Sequence, residues 1–232
     1  MKKTLLAVML AAAFAPSVAM AEAGDWVVRA RAVSVSPNED SELGKYVNKN
    51  VAAVMNPSAD LEVDSNVIPE LDISYYVTKN IALELILALG TKHDVDVVGD
   101  GTNAVGNQKL GEVNLLPPTL TVQWHFNPDQ MIDPYVGAGI NYTRSLDRNL
   151  RFSSGATVGD RIHIERDSLG FALQGGVDIN LKDGWLVNAD VKYVQLDTDV
   201  TMKGAITGNR WTKIDDLEVN PWVFGVGIGK KF

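Results

Sequence analysis

The sequence predicts an all-β protein, an eight-stranded antiparallel transmembrane β-barrel with long extracellular loops and short periplasmic turns. Three observations lead to this prediction. Eight segments alternate between apolar and polar residues, and the connections between them alternate between long and short. No stretch after residue 21 is apolar for the roughly 18 residues that a membrane-spanning helix requires. Each alternating segment is long enough for a tilted strand to cross a bilayer.

The order of the segments supplies the topology. The predicted strands cover residues 25–36, 67–78, 81–90, 114–126, 135–145, 168–179, 185–196 and 219–232. Long connections fall at 37–66, 91–113, 146–167 and 197–218, and short ones at 79–80, 127–134 and 180–184. Sorting of long loops to one end and short turns to the other is typical of bacterial outer-membrane barrels. The even strand number places both termini on the periplasmic side.

In the third, fourth, sixth and eighth predicted strands, one face is apolar and nearly free of charge, as contact with hydrocarbon demands. The outward sets of the third and eighth strands are Ile81, Leu83, Leu85, Leu87 and Leu89, and Trp222, Phe224, Val226, Ile228 and Phe232. Aromatic residues cluster at strand ends, where interfacial girdles form, as Trp26 and Trp185 do at one end and Tyr142 and Tyr193 at the other.

Composition excludes several function classes. Of 232 residues, 21 are Lys or Arg and 29 are Asp or Glu, giving a net charge of −8. Without a basic cluster beyond the first residues, no nucleic-acid partner is expected. The chain has no cysteine, which excludes disulfides, cysteine-based zinc sites and thiol nucleophiles. Its three histidines have no partner at i,i+4, so neither a metal nor a cofactor is expected.

The N-terminus has the pattern of a secretory signal peptide. Lys2 and Lys3 precede an apolar segment at 5–15, and Ala19-Met20-Ala21 forms a small-x-small cleavage site. We predict a cleaved signal peptide at residues 1–21 and a barrel domain at 22–232; the alternatives are an uncleaved anchor or a buried helix. The last strand alternates and ends on Phe232, which resembles the C-terminal signature by which outer-membrane barrels are recognised, so the barrel-assembly machinery is an expected partner. The bacterial outer membrane is therefore the expected location, with its lipids and lipopolysaccharide as surroundings.

Six stretches of the sequence resemble the OmpW family of small outer-membrane barrels. They are GDWVVRA at 24–30, NIALEL at 80–85, LPPT at 116–119 with QW at 123–124, PYVGAGINYT at 134–143, WLVN at 185–188 and PWVF at 221–224. The resemblance covers every predicted strand and implies an eight-stranded barrel with a narrow apolar lumen. It also implies passage or binding of small hydrophobic molecules, with lateral release into the membrane. The long loops depart from the family, so the identity of the solute does not carry over.

The inward-facing residues divide by depth. In the periplasmic half, mixed charges predict a polar plug, because buried charges require partners. The members of this polar plug are Arg29, Glu70, Asp72, Glu84, His125, Asp178 and Asp190. The outer half is predicted to be apolar, with exceptions at Asn141, Thr143 and Lys192. Its apolar residues include Ile86, Val194, Leu196 and Val223. Eight strands leave no room for a wide aqueous pore.

Leu115-Leu116-Pro117-Pro118 is a candidate exit for an apolar solute. Proline has no N–H for the strand ladder, so two in succession should interrupt pairing with the third or the fifth predicted strand. A local opening in the wall would follow. A bulge that merely ends the strand is the alternative.

Other functions compete with a hydrophobic conduit. A barrel that acts through its extracellular loops on hosts or phages is one alternative. A lipid-modifying enzyme is the other alternative. It is not predicted, because no G-x-S-x-G motif is present. The candidates for a catalytic base and nucleophile are limited to His93 or His163 with loop serines such as Ser153. Acidic residues in the long loops are expected to be solvated, although they could bind divalent cations. These are Asp94, Asp96, Asp100, Asp215, Asp216 and Glu218.

Overall fold

A computed structural model describes residues 22–147 and 149–232; the predicted signal peptide lies outside this range. The strands are β1 (Trp26–Ser36), β2 (Asp60–Val63), β3 (Asn66–Tyr76), β4 (Ile81–Ala88), β5 (Thr91–Val98), β6 (Gln108–Leu116), β7 (Thr119–His125), β8 (Ile132–Asp147), β9 (Asn149–Arg151), β10 (Arg161–Ile164), β11 (Asp167–Asn180), β12 (Trp185–Val194), β13 (Asp197–Lys203), β14 (Thr212–Glu218) and β15 (Trp222–Lys231). One α-helix, α1, spans Leu43–Asn50, and short 3-10 turns lie at Gly155–Thr157, Lys182–Gly184 and Ala205–Thr207. In the described part of the chain, no helix is both long and apolar enough to span a membrane.

Eight strands close the barrel in the order β1, β3, β4, β7, β8, β11, β12 and β15, each antiparallel to its neighbours. The barrel closes where β15 pairs with β1, from Val27 opposite Lys231 to Ser36 opposite Trp222. The predicted fold is therefore confirmed. The fourth predicted strand needs a correction, because Pro117 and Pro118 divide it into β6 and β7. Neither proline has an N–H to continue the ladder.

The alternation within each strand decides which side chains leave the barrel. Leu85, Val122 and Phe224 are exposed, whereas inward neighbours such as Glu84 and Gln123 are buried. The apolar outward sets predicted from the sequence lie on this outer surface. Hydrocarbon is a favourable solvent for such a surface, whereas the polar inner face must satisfy itself within the barrel.

The predicted long loops contain the strands β2, β5, β9, β10, β13 and β14 and most of β6, which corrects the sequence interpretation. Beyond the membrane, β2, β5 and β6 form a wall attached to β8, while β9, β10, β13 and β14 form a separate four-stranded sheet. The pattern that the sequence interpretation missed is a short alternation in which acidic residues occupy the outward positions. In residues 91–98, His93 and Val95 are buried while Asp94 and Asp96 point outward. A period of two survives there even though the outer residues are charged.

The two extracellular sheets enclose an apolar core. Helix α1 contributes Leu43 and Val47, and the sheets contribute residues such as Leu61, Ile162 and Met202. Asp215, on β14, fastens the start of the helix: its carboxylate accepts hydrogen bonds from Ser41 Oγ at 2.5 Å and Glu42 N at 3.2 Å. This apolar cap covers the outer end of the lumen.

Two acidic residues that were expected to be solvated are buried, Asp100 and Asp215. The Oδ1 atom of Asp100 accepts from the backbone N–H of Asn56 at 3.0 Å and of Thr102 at 3.1 Å. Its Oδ2 atom accepts from Gly106 N and Thr102 Oγ1, each at 2.9 Å. Burial acts to raise the pKa of Asp100, but these hydrogen bonds outweigh it and hold the pKa below its ordinary value. Asp100 thus ties the α1–β2 segment to the β5–β6 connection.

Replacing Asp100 with asparagine is expected to loosen this tie by about 2 kcal/mol, since hydrogen bonds to a charged acceptor are lost. Hydrogen exchange of residues 52–58 and 99–107 measures the effect. Because the folded pKa is depressed, the stabilisation is present above the unfolded pKa of about 3.9 and is lost as pH falls through the folded pKa. The exchange difference between the two proteins should therefore be full at pH 6 and shrink towards pH 3. Glu62→Gln, an exposed change on β2, is the control; equal exchange in D100N and the native protein would contradict the assignment.

Candidate functional site

The lower part of the lumen is filled by ion pairs around Arg29. The guanidinium, 0% exposed, lies 2.5 Å from Asp178 Oδ2 and 3.3 Å from Glu84 Oε1. Glu84 also accepts hydrogen bonds from Gln123 at 2.7 Å and Gln174 at 2.9 Å. These side chains come from opposite sides of the barrel, so the contacts cross the lumen.

A second group of ion pairs lies around Arg31, one alternation further along β1. Arg31 is 3.0 Å from Glu70, 2.5 Å from Asp72 and 2.7 Å from Asp190. Lys192 bridges Glu70 at 2.7 Å and Asp190 at 2.9 Å. Arg31 and Lys192 were absent from the predicted polar plug. Lys192 was placed instead as a polar exception in the apolar outer half, because strand position alone does not show how far a lysine reaches.

We call this combined set the charge network. Its cations are Arg29, Arg31 and Lys192, and its carboxylates are Glu70, Asp72, Glu84, Asp133, Asp178 and Asp190. All seven residues of the predicted polar plug lie in it or against it and are at most 8% exposed. Carboxylates outnumber cations. Among the described side chains, Arg31, whose Nε lies 2.5 Å from Oδ2, is the one ion-pair partner of Asp72.

His125 closes the periplasmic end of the network. Its Nδ1 atom lies 2.7 Å from Asp133 Oδ2, and its ring stacks on Tyr135 with centroids 5.0 Å apart. One ligand atom each from His125, Asp133 and Asp178 lies within 4.8 Å of the others, a spacing that suits a metal ion. Both oxygens of Asp178 already accept from Arg29, at 3.3 and 2.5 Å. The guanidinium of Arg29 therefore occupies the position beside Asp178 that a metal ion would take.

Directly above the network lies the lumen cavity, an apolar space of about 80 Å³. Its floor is formed by Glu70 and Lys192, the upper members of the charge network. The predicted lumen residues Ile86, Leu115, Pro117, Val194, Leu196 and Val223 line it. Leu116 and Pro118, on the same predicted exit, do not.

A second apolar space, the cap cavity of about 40 Å³, lies within the extracellular core. It shares four lining residues with the lumen cavity: Val63, Leu115, Thr143 and Leu196. The two spaces therefore adjoin, and we call them together the apolar column, which reaches from the cap to the charge network. The cap residues of this column were missed by the sequence interpretation, which treated their segments as solvated loops.

The wall is interrupted beside this column. Pairing of β4 with β7 ends at Ile86 opposite Thr119, and pairing of β5 with β6 begins at Thr91 opposite Leu115. Residues 87–90 therefore face residues 116–118 with no ladder between them. On the other side, β8 stays in register with both strands, and Tyr142 N donates to the carbonyl of Pro118 at 3.0 Å. Towards the third predicted strand the pairing is lost over residues 87–90, whereas towards the fifth it lacks only the two prolines and keeps its register.

Comparison with known proteins identifies the family to which this barrel belongs. Residues 22–232 match the OmpW family. The chain belongs to the OmpW family. Outer membrane protein W of Vibrio cholerae is 36% identical to it, over the full length of both chains. The crystal structure of OprG from Pseudomonas aeruginosa is similar with a TM-score of 0.77 and 30% identity, covering 91% of this chain and 97% of that one.

The solution structure of Escherichia coli outer membrane protein W is also similar, with 32% identity and a TM-score of 0.55 over 92% of this chain and all of that one. As an OmpW-family barrel, the protein lies in the bacterial outer membrane, and its outward apolar side chains contact lipid. The family match thus confirms the resemblance that the sequence motifs indicated.

Proposed function

We propose that the protein is a conduit for small hydrophobic molecules, which enter the apolar column from outside and leave sideways into the membrane. The observation that carries the proposal is the position of the interrupted wall. Ala88 and Thr91 border the lumen cavity on one side of the interruption, and Leu115 and Pro117 border it on the other. An apolar solute in the cavity is therefore next to the one segment of the β4–β7 seam that lacks a ladder in the described barrel.

The charge network gives the conduit its direction. An apolar solute that continued towards the periplasm would have to displace paired, buried charges, which costs several kcal/mol for each ion pair opened. Moving laterally opens no strand ladder, because no ladder joins residues 87–90 to residues 116–118. Hydrocarbon beyond the wall accepts the solute. The outer-membrane lipopolysaccharide leaflet, which slows apolar molecules, is thereby bypassed.

Restoring the ladder tests the exit. In the double variant Pro117→Thr and Pro118→Val, both positions regain an N–H. The carbonyl of Pro118 faces β8, where it accepts from Tyr142 N, so the restored N–H at position 117 is the one that faces β4, and the β4–β7 seam is expected to close. Cells expressing this variant should take up the apolar fluorophore N-phenyl-1-naphthylamine about tenfold more slowly, which corresponds to ~1.4 kcal/mol on the barrier. The fluorescence rise after addition of the dye is the measurement.

The control is Pro134→Thr, because Pro134 lies in the barrel wall at β8 within an intact ladder opposite Val177. Heat-dependent migration on gels shows that each variant is folded. If the folded double variant takes up the dye at the native rate while a strain without the barrel does not, the solute leaves by another route and the lateral exit is wrong.

A further inference from the structure

The outward face of the four-stranded extracellular sheet presents a row of like charges. Arg161 on β10 lies directly opposite Arg151 on β9 and directly opposite Lys203 on β13. Both arginines are exposed, and Lys203 is half-buried. Among the described residues, none of the three takes part in an ion pair or a side-chain hydrogen bond. The adjacent Asp160 instead accepts from the backbone N–H of Ala205, at 3.2 Å.

Such a row is unfavourable by itself, because like charges directly opposite one another on neighbouring strands repel. It is also unusual for this chain, whose net charge is −8. The Asp and Glu residues that elsewhere pair with surface lysines, as Glu42 pairs with Lys45, do not reach this row. An anion bound across the three strands would relieve the repulsion.

An aromatic platform lies beside the cations on the same sheet. Trp211 stacks on His163 with ring centroids 4.0 Å apart and an angle of 23° between the planes. Trp211 is still 43% exposed, so one of its faces is open to a ligand. Together with Arg166, Asp199 and Thr201 these rings line an open groove. A flat indole next to hydrogen-bonding side chains suits the apolar face of a sugar ring, and the adjacent guanidinium groups suit phosphate.

We propose that Arg151, Arg161, Lys203 and Trp211 form a binding site for the phosphorylated core sugars of lipopolysaccharide. The height of this row of cations above the membrane supports lipopolysaccharide as the ligand. Arg161 precedes the lipid-facing Leu169 by eight residues along the β10–β11 direction. At about 3.3 Å per residue and a tilt near 40°, the row lies up to roughly 20 Å above the apolar band. That is the level of the core oligosaccharide and not of the acyl chains. The site is independent of the proposed conduit, since none of its four residues lines either cavity of the apolar column.

Binding of purified lipopolysaccharide to the barrel in phospholipid nanodiscs tests the proposal. The triple variant Arg151→Ala, Arg161→Ala and Lys203→Ala is expected to bind about tenfold or more weakly, given the strength of charge-assisted hydrogen bonds to phosphate. The matched control removes three other cations of the extracellular part, Lys45→Ala, Lys49→Ala and Lys109→Ala, and should change affinity less than about twofold. Trp211→Ala should weaken binding about fivefold by removing the sugar platform.

Three further probes distinguish the ligand. Lipopolysaccharide with its core phosphates removed should bind the native barrel as weakly as intact lipopolysaccharide binds the triple variant. Inorganic phosphate at millimolar concentration should compete only slightly, because it engages one cation at a time. If heparin binding is lost in the triple variant while lipopolysaccharide binding is unchanged, the face binds a soluble polyanion and the proposal is overturned. Equal binding of native and dephosphorylated lipopolysaccharide would overturn it as well.

Discussion

Replacing Arg31 with alanine is expected to destabilise the barrel by about 3–5 kcal/mol, the usual cost of removing one partner from a buried ion pair. Arg31 is 4% exposed and lies within 3.0 Å of three carboxylates, on Glu70, Asp72 and Asp190. Lys192 still reaches Glu70 and Asp190. Asp72 keeps no ion-pair partner, so most of the lost stability comes from leaving its carboxylate buried and unpaired. Urea unfolding of the barrel refolded into vesicles measures the change in free energy.

The same variant should also conduct ions. Without the guanidinium, the constriction carries an excess of carboxylates and has space for water and cations. Planar-bilayer recordings are expected to show a cation-selective current larger than that of the native barrel. If Arg31→Ala neither conducts more nor unfolds at lower urea concentration, the charge network does not close the lumen.

One companion variant separates charge from size, and a second is the control. Arg31→Ala combined with Asp72→Asn removes the carboxylate that depends on Arg31, and it should recover part of the lost stability, since the two positions are coupled. Arg210→Ala, an exposed arginine in the β13–β14 connection, should change stability by less than about 0.5 kcal/mol. Failure of the double variant to recover any stability would mean that packing by Arg31, and not its charge, matters.

The membrane part of the fold was predictable because one rule governs it. Every residue of a barrel strand faces either lipid or lumen, so the alternation seen in Ile81–Ala88 also fixes which of its side chains face inward. The extracellular part obeys no such rule, since its outer face meets water and tolerates any charge. Val95 and Ile162 therefore belong to strands, although hydropathy alone assigns their segments to loops.

The site was predictable in composition but not in connectivity. Sequence position showed that Arg29, Glu84 and Asp178 face the lumen, yet their pairing depends on strand order and stagger around the closed barrel. Long side chains add further uncertainty: Lys192 lies on β12, but its ammonium group reaches Glu70 on β3. The joined cavities could not be inferred at all, because they require the cap to be folded.

Filling the joint between the two cavities is expected to close the conduit. Leu196 lines both spaces and is 8% exposed. Its backbone is held in place, since its N–H donates to Asn220 Oδ1 at 3.1 Å and its carbonyl accepts from Val219 N at 2.8 Å. A tryptophan at this position cannot move away and must occupy the column. Leu196→Trp should slow uptake of N-phenyl-1-naphthylamine about tenfold or more, with overpacking costing about 1–3 kcal/mol of stability.

Leu115, on β6, also lines both cavities, and Leu115→Trp should likewise slow dye uptake. A second variant at the joint keeps the test valid if one of the two misfolds locally. The control is Leu169→Trp, the same change on a side chain that is 73% exposed to lipid. It should leave uptake unchanged. A bulky residue at the joint blocks entry from the cap, whereas the proline variant seals the exit, so both changes slow uptake for different reasons. If both joint variants fold and take up dye at the native rate, solutes do not cross the apolar column, and the wall interruption has to be reached from the membrane side alone.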